Sequence, residues 1–323
     1  MHAKTINCIT GIISAIVFLF FTWDTNFKYF DSLTRINYIF YDINFKVFHK
    51  KSKSNDIIIV DFDEKSLRYE GRWPWPRNKV AAIVKILQND GAAVIGFDVL
   101  FPESELNVVN TLIDHAKLDK DAPTSIIEYL SQQLLTFNND KIFAQALSQG
   151  DTVLGVFFSN DLYSSIGKLG EPILDTNAPD KLIVLHESKF IGNTPDLADA
   201  VNHTGFTTTL ADEDGRLRRL PLLIEYNKKL YPSLSIEIAK TYLLTEKISL
   251  DLRDLGPNKI FLGIKLGDTY IPTDLFGNIL INYIGPALSF PYISATDVLH
   301  KNFSPETFAG KIILIGSSAV GIG

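Results

Sequence analysis

Cysteine is nearly absent: Cys8 is the only one in 323 residues. An intramolecular disulfide and any cysteine-built zinc site are therefore excluded. Cys8 also precedes most of the apolar stretch it sits in, which disfavours a lipidated cysteine. The six histidines, His2, His49, His115, His186, His203 and His300, are scattered along the chain. No HExxH zinc motif and no Ser-His-Asp pattern appears among them. An excess of basic charge is missing too: 31 Lys and Arg stand against 37 Asp and Glu, for a net charge of -6. Nucleic acid is thereby disfavoured as a partner, since a polyanion requires a concentrated basic surface. Nor is there a shortage of apolar residues. With 46% hydrophobic and 21% charged residues the chain has the composition of a globular protein, long enough for one large domain or two ordinary ones.

Charge is absent altogether between Ile6 and Trp23, where the sequence reads INCITGIISAIVFLFFTW, 18 residues in all. At about 1.5 Å of rise per residue a helix of this length nearly crosses a hydrocarbon core of about 30 Å. Lys4 lies before the run and Trp23 closes it at the far interface, so the N-terminus reads as cytoplasmic and the remainder as external. No small-x-small cleavage motif follows, which favours a retained anchor over a removed signal peptide. A soluble core helix would not be expected to be apolar on every face. The expected organisation is a cytoplasmic tail over 1–5, a transmembrane helix over 6–23, a membrane-proximal helix and linker over 24–56, and an external domain over 57–323.

Within 24–56, Leu33, Ile36, Ile39, Phe40, Ile43 and Val47 recur at helical spacing before the polar HKKSKSN. Next, a β-branched apolar run at 57–60 and a second apolar run at 92–97 flank a helical pattern over 78–88, which implies a parallel crossover. A polar insertion over 103–138, a helix over 140–149 and a strand over 152–158 follow. Segments 205–210 and 217–226, separated by ADEDGR, predict a hairpin. Ser233 is the expected N-cap of a helix over 234–244. Two β segments, 260–266 and 279–283, precede a last apolar run at 311–316, expected as a fourth parallel strand. The fold class is α/β: a Rossmann-like parallel core from the runs near 57, 92, 152 and 311, with an inserted antiparallel and helical section near 203–292.

Nine short blocks then fall in one consistent order: IIIVDFDEKS, GRWPWPR, GAAVIGFDVLFPE, DKIFAQAL, DEDGRLRRLPLL, YPSLSIEIA, LINYIGP, SATDVL and GKIILIGSSA. In this the chain, over roughly residues 30–323, resembles CHASE2 domains. The resemblance implies an extracytoplasmic sensory domain of a bacterial transmembrane receptor, anchored in the inner membrane, without catalytic activity of its own and with no cofactor. In that family the domain is joined through further membrane helices to a cytoplasmic cyclase, histidine kinase or Ser/Thr kinase. No such segment follows within these residues, so the expectation is either a truncated chain or a stand-alone ectodomain on a tether, whose signal would need a partner. Partners expected on this reading are the lipid bilayer through 6–23, an unknown small-molecule or ion signal, and a second copy through residues 24–50.

Several residues are candidate ligand contacts. Asp61, Asp63 and Asp98 follow strand-like runs and point to the carboxyl edge of a parallel sheet, where α/β folds bind ligands. Three carboxylates there could hold Mg²⁺ or Ca²⁺; helix capping and pairing with Arg72 or Arg77 is the simpler use, and no metal site is assigned. Trp73, Trp75 and Arg77 of GRWPWPR could form an aromatic and cationic ligand wall or, more simply, seal a sheet edge. Arg218 and Arg219 either face an anionic ligand or pair with Asp212, Glu213 and Asp214 in a solvated turn. Gly316-Ser317-Ser318 lacks the lysine of a phosphate loop, which argues against a nucleotide. Two alternative functions remain: a structural ectodomain that binds another envelope protein, and a haloacid-dehalogenase-like phosphatase suggested by VDFDE. The second is disfavoured because Lys65 stands where that family has Thr or Val.

Overall fold

A computed structural model describes residues 38–43, 55–119, 123–134, 136–174, 181–245, 248–286 and 288–319. The expected membrane span, 6–23, lies outside the described residues. Among those that are described, no helix is long and apolar enough to cross a membrane. By its internal contacts the chain divides into two units, 1–52 and 53–323. Of the first, residues 38–43 are helical, with Ile39, Phe40 and Ile43 exposed.

In the second unit the strands are β1 (Ile57–Asp61), β2 (Val94–Phe97), β3 (Thr152–Phe158), β4 (Leu182–Ile183), β5 (Leu185–His186), β6 (Phe190–Ile191), β7 (His203–Phe206) and β8 (Arg219–Pro221). They continue with β9 (Leu223–Tyr226), β10 (Lys229–Pro232), β11 (Ile248–Leu255), β12 (Asn258–Leu266), β13 (Thr269–Pro272), β14 (Asn278–Leu280), β15 (Tyr292–Ser294) and β16 (Ile312–Gly316). The helices are α1 (Glu64–Glu70), α2 (Arg77–Asn89), α3 (Val108–Leu118), α4 (Thr124–Gln133), α5 (Asn139–Leu147), α6 (Pro195–Ala198), α7 (Leu234–Tyr242) and α8 (Ala295–Leu299).

The central sheet runs β15-β1-β16-β2-β3-β7, all parallel neighbours, and β6 joins the far end of β3 antiparallel. Alternation along the strands sorts its two faces. Ile58, Val60, Ile95, Phe97, Ile313 and Ile315 turn to one side, where they bury against Val80, Ile83, Val84 and Leu87 of α2, Phe143 and Leu147 of α5, and Val298 of α8. On the other side Val94, Val153, Ile312 and Leu314 meet Leu234 and Ile238 of α7. This second face carries the one long helix α7 rather than a full helical layer.

α7 begins where the sequence places it. Ser233 caps it, accepting a hydrogen bond from the Ile236 amide at 3.4 Å. His203 Nδ1 on β7 and Glu237 Oε1 lie 2.8 Å apart and tie the helix to the sheet. The opposite side of α7 sends Ile236 into a second core with Leu182, Val184, Leu222, Leu223, Leu230, Phe261 and Ile264. That core belongs to the antiparallel section, β11-β12-β13 with β4 added, and β10-β9-β5.

Four parallel strands near 57, 92, 152 and 311 are found in the sheet, and the mixed α/β class holds. Two expectations are corrected. Segments 205–210 and 217–226 do not pair with each other: β7 joins β3 in parallel, β8 pairs with β14, and β9 pairs with β10. The turn at Asp212–Arg216 does form, through Gly215 N to Asp212 O at 2.8 Å and Asp212 N to Arg216 O at 2.9 Å. A turn motif fixes the local reversal, but burial decides the partner, and β7 is buried along Thr204–Phe206 in the parallel sheet. β7, expected in the inserted section, therefore belongs to the parallel core, and β15, at the end of that section, pairs with β1 there.

Candidate functional site

Every second residue of three adjacent strands faces α7. Ile57, Ile312 and Val94 make one row across β1, β16 and β2, and Ile59, Leu314 and Gly96 make the next. Asp61 pairs with Gly316 one step further on, and Asp98 follows β2 on the far side of Gly316. Two apolar rows therefore lead to an acidic row at the carboxyl edge. The two aspartates stand two strand spacings apart, about 10 Å between Cα atoms, with a glycine between them.

The β1 and β16 members of these rows, Ile57, Ile59, Ile312 and Leu314, floor a cavity of about 550 Å³, within the range of small-molecule sites. Its remaining walls come from α7, through Ser235, Ile238 and Ala239, from Leu220 and Pro221 of β8, and from the hydroxyl-bearing run Thr207–Thr209 after β7. It lies between the parallel sheet and the inserted section. No lysine, arginine or histidine lines it among the described residues, whereas Asp61 and Asp98 do.

The two carboxylates differ. Asp61 is buried, and both its oxygens are taken by Ser318: the amide donates to Oδ1 at 2.8 Å and the hydroxyl to Oδ2 at 2.5 Å. The Gly316-Ser317-Ser318 run thus spends its Ser318 amide on a side chain of the protein. Asp98 opens into the cavity, and its carboxylate has no hydrogen-bond or ion-pair partner among the described residues. Asp98 is itself exposed to the open cavity, and the desolvation that the surrounding walls impose on its carboxylate shifts its pKa upward.

The other residues singled out in the sequence stand elsewhere. Asp63 caps α1, accepting from Ser66 N at 2.8 Å and from Ser294 Oγ at 2.5 Å. Burial works to raise its pKa, but those two serines outweigh it and the net shift is downward. Trp73 stacks on Phe62 at 4.6 Å, and Trp75, 2% exposed, meets the edge of the same ring at 5.1 Å. Trp75 Nε1 donates to Gly71 O at 2.9 Å, so its one polar atom is satisfied within the core. Arg77 is buried under Phe101, its guanidinium 4.5 Å from the ring centroid, with Nε 3.5 Å from Asp140 Oδ1. Burial lowers the Arg77 pKa, opposed by Asp140 and Glu105, and burial raises that of Asp140.

Arg218 is 3% exposed, not part of a solvated turn. It donates to Asp212 Oδ2 at 2.9 Å and to Asp214 Oδ1 and Oδ2 at 2.9 and 2.8 Å. Of the seven candidates the cavity brings together only Asp61 and Asp98. Sequence reasoning missed its apolar floor, Gly316 and Ser318. The signal was present in the i, i+2 spacing of Ile57, Ile59 and Asp61, of Ile312, Leu314 and Gly316, and of Val94, Gly96 and Asp98. Among the described residues no group of three or more His, Cys, Asp or Glu is placed to hold a metal ion.

A family model described as "CHASE2 domain" matches residues 12–323. No curated protein and no solved structure matches the chain.

Proposed function

This chain belongs to the CHASE2 family, an extracytoplasmic sensory domain family, and from that premise we propose that it is a membrane-anchored, non-catalytic receptor domain whose signal is a small molecule bound over β1, β16 and β2. The cavity of about 550 Å³ carries the proposal. It sits at the carboxyl edge of a parallel sheet, the usual ligand position in open α/β folds. A phosphatase is less well supported: a phosphoryl group would find no basic side chain among the cavity's lining residues.

The position of α7 supplies a route for a signal. Leu234 and Ile238 rest on the sheet while Ile236 enters the antiparallel section's core. A molecule filling the cavity would touch the helix and the sheet together and so favour one spacing of the two over others. Binding shifts a conformational equilibrium only through such a difference in affinity. In the proposed arrangement the segment 6–23 anchors the chain in the bacterial inner membrane, with residues 57–323 on the periplasmic side.

A thermal-shift screen of the purified full chain against small metabolites and ions tests the ligand reading. A saturable rise in Tm that is lost in Leu314→Trp, which fills the floor, is the expected result; no saturable response to any compound would reject it. The membrane arrangement is tested by a reporter fused after residue 323, and activity of that reporter only in the cytosol would overturn it.

A further inference from the structure

The charge and shape of the cavity point beyond an unspecified ligand. Asp61 and Asp98 are its only acidic or basic lining residues apart from the phenol of Tyr292, among the described ones. Ser318 already satisfies both oxygens of Asp61, so Asp98 is the group left to interact. Between them Gly316 leaves a notch: beyond its chain neighbours, a Cβ built there would find Asp98 Cβ at 3.8 Å and nothing else within 4 Å among the described residues. Behind the notch lie the apolar rows of Ile59 and Leu314.

Resting on the reading of this cavity as a ligand site, we propose that its ligand is an organic cation, an ammonium or guanidinium group seated in the Gly316 notch against Asp98 and carried on an apolar body that covers Ile59 and Leu314. An anion would meet two carboxylates and no basic side chain. The start of α7 offers partial positive charge nearby, but Ser233 caps it, and a helix end carries less charge than one carboxylate. A bare divalent ion would lack oxygen ligands, since it takes six or more and most of the wall is hydrocarbon. An organic cation matches both halves of the site. Its charge would also offset the desolvation that Asp98 meets at the cavity wall.

Isothermal titration of the full chain in detergent micelles tests this with three probes of one shape: 3-phenylpropylammonium, 3-phenylpropanoate and 3-phenylpropan-1-ol. The ammonium is expected to bind at least tenfold more tightly than either control. Asp98→Asn should remove that preference, and Gly316→Leu, which fills the notch and leaves both aspartates in place, should abolish binding of the ammonium. Circular dichroism of each variant verifies that it is folded. Equal binding of the propanoate or the alcohol, or an unchanged Kd for the ammonium in folded Asp98→Asn, would overturn the inference. If the controls bind and Gly316→Leu or Leu314→Trp blocks them, the cavity remains a ligand site and only the charge class is wrong. If none of the three binds, the cation proposal falls, and the metabolite screen decides the cavity's use separately.

Discussion

Gly205 on β7 lies directly beneath Leu234, the first residue of α7: a Cβ added to Gly205 would sit 2.5 Å from Leu234 Cα and 2.7 Å from its amide nitrogen. Both are backbone atoms, so no side-chain rotation can make room. Gly205→Ala should therefore push the start of α7 off the sheet and lower stability by about 1–3 kcal/mol, the usual cost of overpacking. Because Ser233, Leu234 and Ser235 line the cavity, ligand binding should weaken as well. Urea denaturation and titration of the same variant measure the two effects, and a variant as stable as its parent would show that α7 is not seated as described.

Trp75 allows core packing to be separated from ligand contact. Its ring is buried against Phe62 and Trp73 and does not line the cavity. Trp75→Ala should cost about 3–5 kcal/mol of stability. Where the variant is folded, the affinity of any cavity ligand should match the parent's. A selective loss of affinity with little loss of stability would return the tryptophans to the role of a ligand wall.

Asp98 gives the ligand-free protein a definite pH dependence. Its pKa is raised on folding, so the folded chain holds that proton more strongly than the unfolded chain. The associated stability is present below the unfolded pKa and is lost as pH rises through the folded one. Asp98→Asn should thus be more stable than the parent at neutral pH and lose that advantage in acid. Melting temperatures of both proteins between pH 3 and pH 8 would show the two curves converging at the low end. Binding of a cation should follow the opposite trend, strengthening as Asp98 ionises.

The clasp around Arg218 titrates lower. Hydrogen bonding from Arg218 holds Asp214 at about 2, below the ordinary carboxylate value near 3.9. This is a depressed acid, so its contribution is present above the unfolded pKa and disappears as pH falls from about 4 toward about 2. Protection of the Arg216 and Gly215 amides, measured as exchange relative to an unstructured chain at the same pH, should fall across that window and not above it. In Asp214→Asn the change attributable to Asp214 should be absent, leaving Asp212 as the one carboxylate of the clasp.

Local patterns made much of this architecture readable. The apolar runs at 57–60, 92–97 and 311–316 have few alternatives to buried strands, and Ser233 marks the start of α7 because a serine hydroxyl caps a helix regardless of its surroundings. Pairing was harder. β15 is only three residues long, and its placement beside β1 depends on contacts more than two hundred positions apart. Asp61 and Asp98 could be placed at one sheet edge because both end parallel strands. Asp63 could not be told from them, since two residues beyond Asp61 the chain has already turned into α1 and uses this carboxylate as its cap. Arg218 misled for a different reason: a charged hairpin motif looks exposed, and only the tertiary fold buries its guanidinium between two aspartates.

The position of β16 bears on how the domain is made. Among the described residues this strand is the latest of sixteen to be synthesised, yet it lies between β1 and β2, the two earliest. A growing chain at the ribosome therefore carries an open seam through the middle of its sheet, with the edges of β1 and β2 unpaired, until residue 316 has emerged. Insertion of β16 pairs both edges, joins the two apolar rows and brings Gly316 between the aspartates.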